Sequence, residues 1–287
     1  MTKKKIRLIE NLVLIKKKTF MKKLFALFLT ASFLVSPYIK LNAAVSPDVK
    51  EESFIELEER VFEEIQTGRI TNDADVIKVA LKQYQERKNQ ATKISEPGQN
   101  TDIDDSLSIT QVLSHEIDES GNITENIMST NLIVLDDNDN VVNAREINSF
   151  NTDKYGEFSL YSIYATMSVN YSTDCNPNYD SVRFNYFDTT LYYGTAAKAT
   201  KLVQTSSYKK ELLFEYDDIT KNITDPQANV RYHYVPSNRE FIIYTTQTAG
   251  RICKSLIYVG SQCMGLRFLY TCERVNDGKG TWELAVE

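Results

Sequence analysis

Residues 161–169 read Tyr-Ser-Ile-Tyr-Ala-Thr-Met-Ser-Val, and this stretch decides the fold class. Every second side chain is apolar, whereas those between are mainly polar or small. A period of two indicates a β-strand with one buried face. Antiparallel sheets show such alternation because one face commonly meets water. The alternating apolar residues are Tyr161, Ile163, Ala165, Met167 and Val169.

Segments on both sides of this stretch carry the same signal. Leu107–Ile117 and Ile127–Leu135 flank the turn-forming Ser120-Gly121-Asn122, so we predict a β-hairpin. Asp136–Asn140 predicts a second turn. Residues 106–287 are therefore predicted to form a mainly antiparallel β-sandwich, or an open barrel. The later predicted strands are Val230–Tyr234, Phe241–Thr246, Leu256–Val259, Leu266–Tyr270 and Trp282–Val286.

Residues 45–95 have helical periodicity, which makes the predicted fold class α+β. Ser46-Pro47 is a suitable N-terminus, and Gly68 is a plausible C-cap. A second helix is predicted to begin near Asn72-Asp73 and to fade through 86–90. We expect this helical hairpin to pack on the rest of the protein or on itself; the alternative is a partner-binding coiled coil or a pro-segment. Residues 96–105, which contain Pro97-Gly98, are predicted to be a linker.

Residues 1–44 have the layout of a secretory signal peptide. Lys22 and Lys23 precede the apolar run Leu24–Val35, and the small residues Ala43-Ala44 follow. Residues 1–20 form an unusual basic extension, so we expect translation to start at Met21. The Lys-rich signal favours a bacterial source and a secreted, extracellular or cell-surface location.

A permanent transmembrane helix is the weaker interpretation of this segment. Only sixteen residues separate Lys23 from Lys40, and Pro37 interrupts them. A membrane-spanning helix needs about 20 apolar residues. We therefore expect no stable membrane span after cleavage.

The acidity of the remaining chain excludes some partners. The whole sequence has a net charge of −6, and removal of residues 1–44 leaves 23 basic and 38 acidic residues, a net charge of −15. Such a chain is repelled by nucleic-acid phosphates and by anionic membrane surfaces. We expect no nucleic-acid partner, and most of the acidity serves solubility.

Four cysteines in an exported chain permit disulfides. If residues 260–265 form a hairpin loop with Val259 facing Leu266, the register puts Cys253 opposite Cys272. Opposite residues of an antiparallel pair have Cα atoms roughly 4.5–5.5 Å apart, within reach of a disulfide. The alternative is free cysteines. We predict the disulfides Cys253–Cys272 and Cys175–Cys263.

Catalytic and metal motifs are weak. The two histidines, His115 and His233, have no recognisable nucleophile motif nearby, and His233 is predicted to face solvent. Asp136–Asn140 is similar to the start of a calcium loop, but Val141 stands where the loop needs Gly. Calcium is therefore the alternative to a simple turn, and no other cofactor is predicted.

The sequence favours a non-enzymatic binding or interaction protein that meets an extracellular protein or glycan. One alternative is a secreted hydrolase that uses carboxylates, for which two acids about 5–10 Å apart would be needed. Another is an exported toxin or bacteriocin-like effector with residues 46–95 as a pro-segment. A cleft that holds two acids would favour the hydrolase, and an exposed apolar patch would favour the interaction protein.

Overall fold

The computed structural model describes most of the chain after residue 51. The described residues from 52 onward belong to one compact unit. Within the described part, no helix is long and apolar enough to cross a membrane. The predicted signal peptide (1–44) and nearly all of the predicted linker (96–105) lie outside the described residues. Those residues are 52–94, 105–136, 138, 140–150, 161–175, 180–192, 198–208, 220–244, 249–272 and 278–286.

The described helices are α1 (Phe54–Thr67), α2 (Asp73–Ile94) and α3 (Ala144–Phe150). A capping box begins α1: the Ser53 hydroxyl accepts the Glu56 N–H, and the Glu56 carboxylate accepts the Ser53 N–H. Both groups would otherwise be unsatisfied at a helix start, so the cap fixes where α1 begins.

Two boundaries of the predicted helical hairpin need comment. The predicted cap at Ser46 lies outside the described residues, and α1 is capped by Ser53 instead. The prediction that the second helix fades through 86–90 is wrong, because α2 continues to Ile94. Long polar side chains such as those at 86–90 are good helix formers, so polarity alone does not end a helix. The predicted C-cap Gly68 is confirmed, with φ of 69°.

The strands form two sheets in which every pairing is antiparallel. The first sheet has the order β1-β2-β4-β5-β8, with β3 paired to β2 and β9 to β5. The second has the order β12-β11-β10-β6-β7. Their bounds are β1 Ser108–Ile117, β2 Ile123–Leu135, β3 Val141–Val142, β4 Ser162–Cys175, β5 Asp180–Leu191, β6 Lys201–Tyr208, β7 Lys221–Thr224, β8 Arg231–Tyr234, β9 Ile242–Tyr244, β10 Ala249–Val259, β11 Gln262–Cys272 and β12 Lys279–Val286.

Two hydrophobic cores make the described part a β-sandwich-like fold with helices on one side. One core lies between the sheets and includes Met167, Phe187 and Phe268. The other joins α1 and α2 to the first sheet, where Val61 and Ile77 share a cluster with β-strand residues. The mainly antiparallel β prediction is thereby confirmed.

The opening stretch of sequence does not keep a single buried face, as the alternation predicted. Ala165 faces the core between the sheets, but Ile163 belongs to the core under the helices. The cause is a register shift: Ala165 pairs with Ile133 and Ile163 with Val134, which leaves Tyr164 as the extra residue. A bulge of this kind moves the following side chains to the other face.

The predicted register of the β10–β11 hairpin is wrong. Val259 pairs with Gln262 rather than with Leu266, because Gly260 and Ser261 alone form the turn. Gly260 has φ of 60°, a conformation that suits such a two-residue turn. Cys253 therefore lies opposite Phe268, and Cys272 lies opposite Ala249.

This register removes the geometric basis for a Cys253–Cys272 disulfide. The two residues are displaced by four positions, about 13 Å at 3.3 Å per residue, well beyond disulfide reach. Cys175, Cys253 and Cys263 are free thiols. The Cys175–Cys263 prediction fails as well: Cys175 ends β4 in the first sheet, whereas Cys263 joins a small apolar cluster of the second.

Candidate functional site

The β1–β2 hairpin is built by local sequence. The Asp118 carboxylate accepts the backbone N–H groups of Ser120 and Asn122 at 2.8 and 2.9 Å. Gly121 has φ of 82°, which an L-residue with a side chain rarely adopts. These contacts confirm the predicted turn and fix the pairing of Ile117 with Ile123.

Exposed apolar side chains concentrate on this hairpin. Seven large hydrophobic residues are exposed in the described part of the chain, and four of them lie here. Ile117 is 64% exposed and Val112 is 50% exposed. We call residues 112–127 the hairpin tip. Its exposed apolar residues are Val112, Leu113, Ile117 and Ile123.

The hairpin tip is also acidic. Between Lys93 and Arg145 the sequence contains eleven Asp or Glu and no Lys or Arg. Hydrogen bonds from Asn122 hold the pKa of Asp118 below its ordinary value, so this carboxylate is charged at neutral pH. His115 Nδ1 lies 2.8 Å from Glu125 Oε1. The acidic residues of the hairpin tip are Glu116, Asp118, Glu119 and Glu125.

Side chains of α2 cover the beginning of the β1 edge. Gln83 Oε1 accepts the Thr110 N–H at 2.8 Å, and Gln83 Nε2 donates to the Thr110 carbonyl at 3.5 Å. Arg87 donates to the Ser108 carbonyl at 3.2 Å. Gln83 thus bonds to the backbone N–H and carbonyl of Thr110 as a neighbouring strand would. Beyond Thr110, residues 112–117 are exposed.

A cleft of about 210 Å³ opens where β12 approaches β2, β3 and residues 105–107 before β1. Trp282 lines it and donates its indole N–H to Ser129 Oγ at 2.8 Å. Asp105 is the one carboxyl residue in its lining, and it accepts a hydrogen bond from the Tyr84 hydroxyl.

Another cleft, of about 170 Å³, lies beside the end of α1. Asp188 lines it, and Asp188 Oδ1 is 2.7 Å from His233 Nδ1. The His233 side chain is 49% exposed, which confirms the prediction that it faces solvent. Again a single carboxyl residue lines the cleft.

The described residues of Asp136–Asn140, for which calcium was the alternative to a turn, make turn contacts. Asp136 Oδ1 accepts the N–H groups of Asn138 and Asn140, both at 2.8 Å. Asp137 and Asp139 lie outside the described residues. In the part of the chain that is described, no group of three or more His, Cys, Asp or Glu side chains is arranged to hold a metal ion.

Two of the cysteines predicted as disulfide partners, Cys253 and Cys175, have settings that disfavour the thiolate. Burial raises the pKa of Cys253, and the nearby Arg251 only partly opposes this. Burial and the neighbouring Asp180 raise the pKa of Cys175 to about 11. Both thiols are therefore protonated at neutral pH, and the thiolate is the reactive form.

The exposed, acidic character of the hairpin tip was not predicted from the sequence, although a signal for it exists. The run without Lys or Arg from residue 94 to residue 144 spans the whole hairpin. The contacts of Gln83 and Arg87 had no sequence signal, because they join residues about 20 to 27 positions apart.

Comparison with protein-family models, with curated proteins and with solved structures finds no match to this chain.

Proposed function

We propose that this chain is an exported bacterial protein that binds another protein outside the cell through the hairpin tip. The observation that carries the proposal is the combination of exposed apolar side chains with acidic residues at 112–127, in a stretch that has no Lys or Arg. Isolated exposed apolar residues are ordinary, but clustered ones rimmed by polar groups are typical of interaction sites. Export rests on the signal-peptide layout of residues 21–44.

Site-specific photo-crosslinking tests the surface. A benzophenone amino acid replaces Ile117 in the hairpin tip or, as a matched control, Val230, which is also exposed but lies elsewhere. We expect a discrete crosslinked protein in cultures of the producing cells with the first variant only. Equal crosslinking at the two positions would overturn the proposal.

Export is tested separately by N-terminal sequencing of the protein recovered from the culture medium. We expect the mature chain to begin after Ala43 or Ala44. A chain that keeps residues 21–44 and stays with the cells would overturn secretion, while the crosslinking result would still report on the surface.

A carboxylate-dependent hydrolase is the second candidate. The Asp188–His233 pair favours it, because an imidazole held by a carboxylate through Nδ1 is suited to acid–base work. Each of the two clefts is lined by a single carboxyl residue, whereas a hydrolase of this kind needs two, so the clefts give this candidate less support. If the chain is a hydrolase of this kind, His233→Asn abolishes turnover of a model glycoside or ester panel while leaving the melting temperature unchanged.

A toxin whose residues 46–95 act as a pro-segment is the third candidate, and the packing of the helices offers it little support. Val61 and Ile77 are fully buried in a core shared with Ile109 and Leu132 of the first sheet. Release of the helices would expose this core to water.

A further inference from the structure

The backbone of β1 alternates between groups that face β2 and groups that face outward. Gln83 meets the N–H and the carbonyl of Thr110, so this residue faces outward. Val112, two positions later, faces the same way. The β1–β2 register then shifts by one residue between Val112 and Ser114, which leaves Leu113 as the extra residue of a bulge and restarts the alternation. At the other end the Asp118 N–H bonds to the Asn122 carbonyl, so Ile117 and His115 face outward on the far side of the bulge.

We propose that the edge of β1 from Val112 to Ile117 accepts an extended cationic segment of a partner protein as an additional strand. This inference rests on the proposed function and names the chemistry of the partner. The mode is β-augmentation, in which backbone hydrogen bonds supply affinity and alternate side chains supply specificity. Gln83 makes the corresponding contacts at Thr110, two residues before Val112, which shows that the outward backbone groups of β1 can be bonded from this side. A guest strand must pass the extra residue Leu113, as β2 does on the other side of β1.

Charge selects the partner. An added strand lies beside Glu116, Asp118, Glu119 and Glu125, and no Lys or Arg lies on the hairpin. A second copy of this chain would bring two acidic hairpins without Lys or Arg against each other, and juxtaposed like charges disfavour association. A strand with Lys or Arg meets opposite charges instead, and electrostatic attraction also speeds encounter.

The side chains on one face define the pattern of the incoming strand. Val112 pairs with Ile127, His115 with Glu125, and Ile117 with Ile123, so an apolar pair, a His–Glu pair and another apolar pair follow one another along this face. A complementary strand carries an apolar residue, a basic residue and an apolar residue at every second position. The probe is therefore the peptide Lys-Thr-Val-Thr-Lys-Lys-Val-Thr-Lys, acetylated and amidated, with a matched control in which each Lys is Glu.

The decisive experiment uses two N-methylated forms of the probe peptide, measured by titration calorimetry against the protein at low salt. In an extended peptide, alternate backbone N–H groups point to opposite sides. One form carries N-methyl groups on the amides of one side, and the other form carries them on the amides of the opposite side. We expect one form to bind at least tenfold more weakly than the other, because only one edge of the peptide pairs with β1. We expect no binding of the Glu-containing control.

Two protein variants complete the test. Val112→Pro removes an outward N–H and is expected to weaken binding of the unmethylated probe at least tenfold, whereas Val112→Thr keeps the N–H and stays within about threefold. Thermal melts establish that both variants fold. If Val112→Pro fails to fold, the N-methylated peptides still decide.

The outcomes separate this inference from the function on which it rests. Equal binding of the two methylated forms, or no binding of the unmethylated probe, overturns strand addition. The crosslinking pattern at Ile117 then still decides whether the hairpin tip binds a partner. A dimer of the free protein in sedimentation that Val112→Pro dissociates and Val112→Thr does not would also overturn the inference, since it would show that a second copy takes the edge.

Discussion

Glu64 shows how one side chain fixes the turn between α1 and α2. Its carboxylate accepts the N–H and the hydroxyl of Thr71 at 2.9 and 2.7 Å, and it pairs with Arg60 at 3.1 Å. Burial alone would raise the pKa of Glu64, but these hydrogen bonds outweigh it and hold the pKa below its ordinary value. The carboxylate therefore stabilises the fold when it is charged.

We predict that Glu64→Gln lowers the free energy of unfolding by about 1–2 kcal/mol at pH 7, since hydrogen bonds to a charged group are lost. A carboxyl group whose pKa is lowered by folding stabilises above its unfolded pKa and loses that effect as the pH falls. The difference between the two proteins should therefore shrink toward pH 3. Urea unfolding at a series of pH values measures it, and a difference independent of pH would contradict the prediction.

Asp73 shows the opposite shift, because its carboxyl pKa is raised and not lowered in the folded protein. Burial raises the pKa of Asp73, and the hydrogen bond from the Ile163 N–H at 3.1 Å only partly opposes this. A raised carboxyl pKa means that the folded state loses stability as the pH rises through that value. We predict that Asp73→Asn, which keeps an acceptor oxygen, gains stability relative to the wild type between pH 3 and pH 7. The same urea series tests this, with Glu64→Gln as the control of opposite sign.

The thiol reactivity of Cys253 tests whether this residue is free or disulfide-bonded. Its side chain is fully buried between the sheets, where it packs in the same core as Phe268. We predict that Cys253 does not react with an aromatic disulfide reagent in the native protein and reacts fully in urea without reductant. Peptide mass spectrometry identifies the labelled residue. A Cys253 that stays unlabelled in urea until reductant is added would contradict a free thiol.

At the scale of elements, the turn between β10 and β11 sets the register of the second sheet. Gly260 has φ of 60°, and nothing lies within 4 Å of a Cβ built there. Any cost of substitution therefore comes from the backbone conformation and not from a clash.

We predict that Gly260→Ala lowers the free energy of unfolding by about 1–2 kcal/mol, because an L-residue is strained in the left-handed region. Gly260→Asn is the matched control, and it should cost clearly less, since Asn tolerates this conformation. Thermal unfolding compares the two. Equal costs would contradict the assigned turn.

The two sheets are aligned by buried polar contacts as well as by the apolar core. Thr189 Oγ1 lies 2.7 Å from Ser255 Oγ across the sandwich, and Trp282 donates to Ser129 in the same way. A buried polar pair is satisfied only in one alignment, so these contacts select it. Their sequence separations of 66 and 153 residues put them beyond any local pattern.

At the scale of the whole molecule, the helices and the first sheet depend on each other. The core beneath the helices contains Leu57, Ile77 and Tyr84 together with Ile109 and Val134 of the sheet. Loss of the helices would leave the sheet with an exposed apolar face, whose burial is worth about 25 cal/mol per Å².

We predict that a chain beginning at residue 95 loses cooperative unfolding and binds a hydrophobic dye, compared with a chain beginning at residue 45. As a control, the longer chain is cut by a site-specific protease at a site inserted near residue 100, and the helices should stay bound. A shortened chain that unfolds cooperatively at the same temperature would instead support the pro-segment hypothesis.

Local patterns in the sequence were sufficient for several elements. The helical spacing of Leu57, Val61 and Ile65 predicted α1, and its C-cap Gly68 was also predicted. The turn at Ser120-Gly121-Asn122 predicted the β1–β2 hairpin. In each case the signal and the structure lie within a few residues, because propensity and turn chemistry act locally.

Local sequence patterns predicted only part of the candidate site. The hairpin was predicted, but its role as an exposed surface depends on where the second sheet and α2 lie. The face of β4 changes at Tyr164 because of a bulge, and the position of a bulge is set by the partner strand. Cys253 was assigned to the wrong partner because a two-residue turn replaced the expected six-residue loop.

The sequence by itself determined that this chain forms antiparallel strands behind two amphipathic helices, since a period of two or of 3.6 residues requires no distant partner. Only the tertiary structure decided which strands are neighbours, which cysteines stay apart, and which part of the free β1 edge is covered by Gln83. The physical reason is that these outcomes depend on contacts between residues far apart in the chain, which are chosen by the packing of the whole molecule.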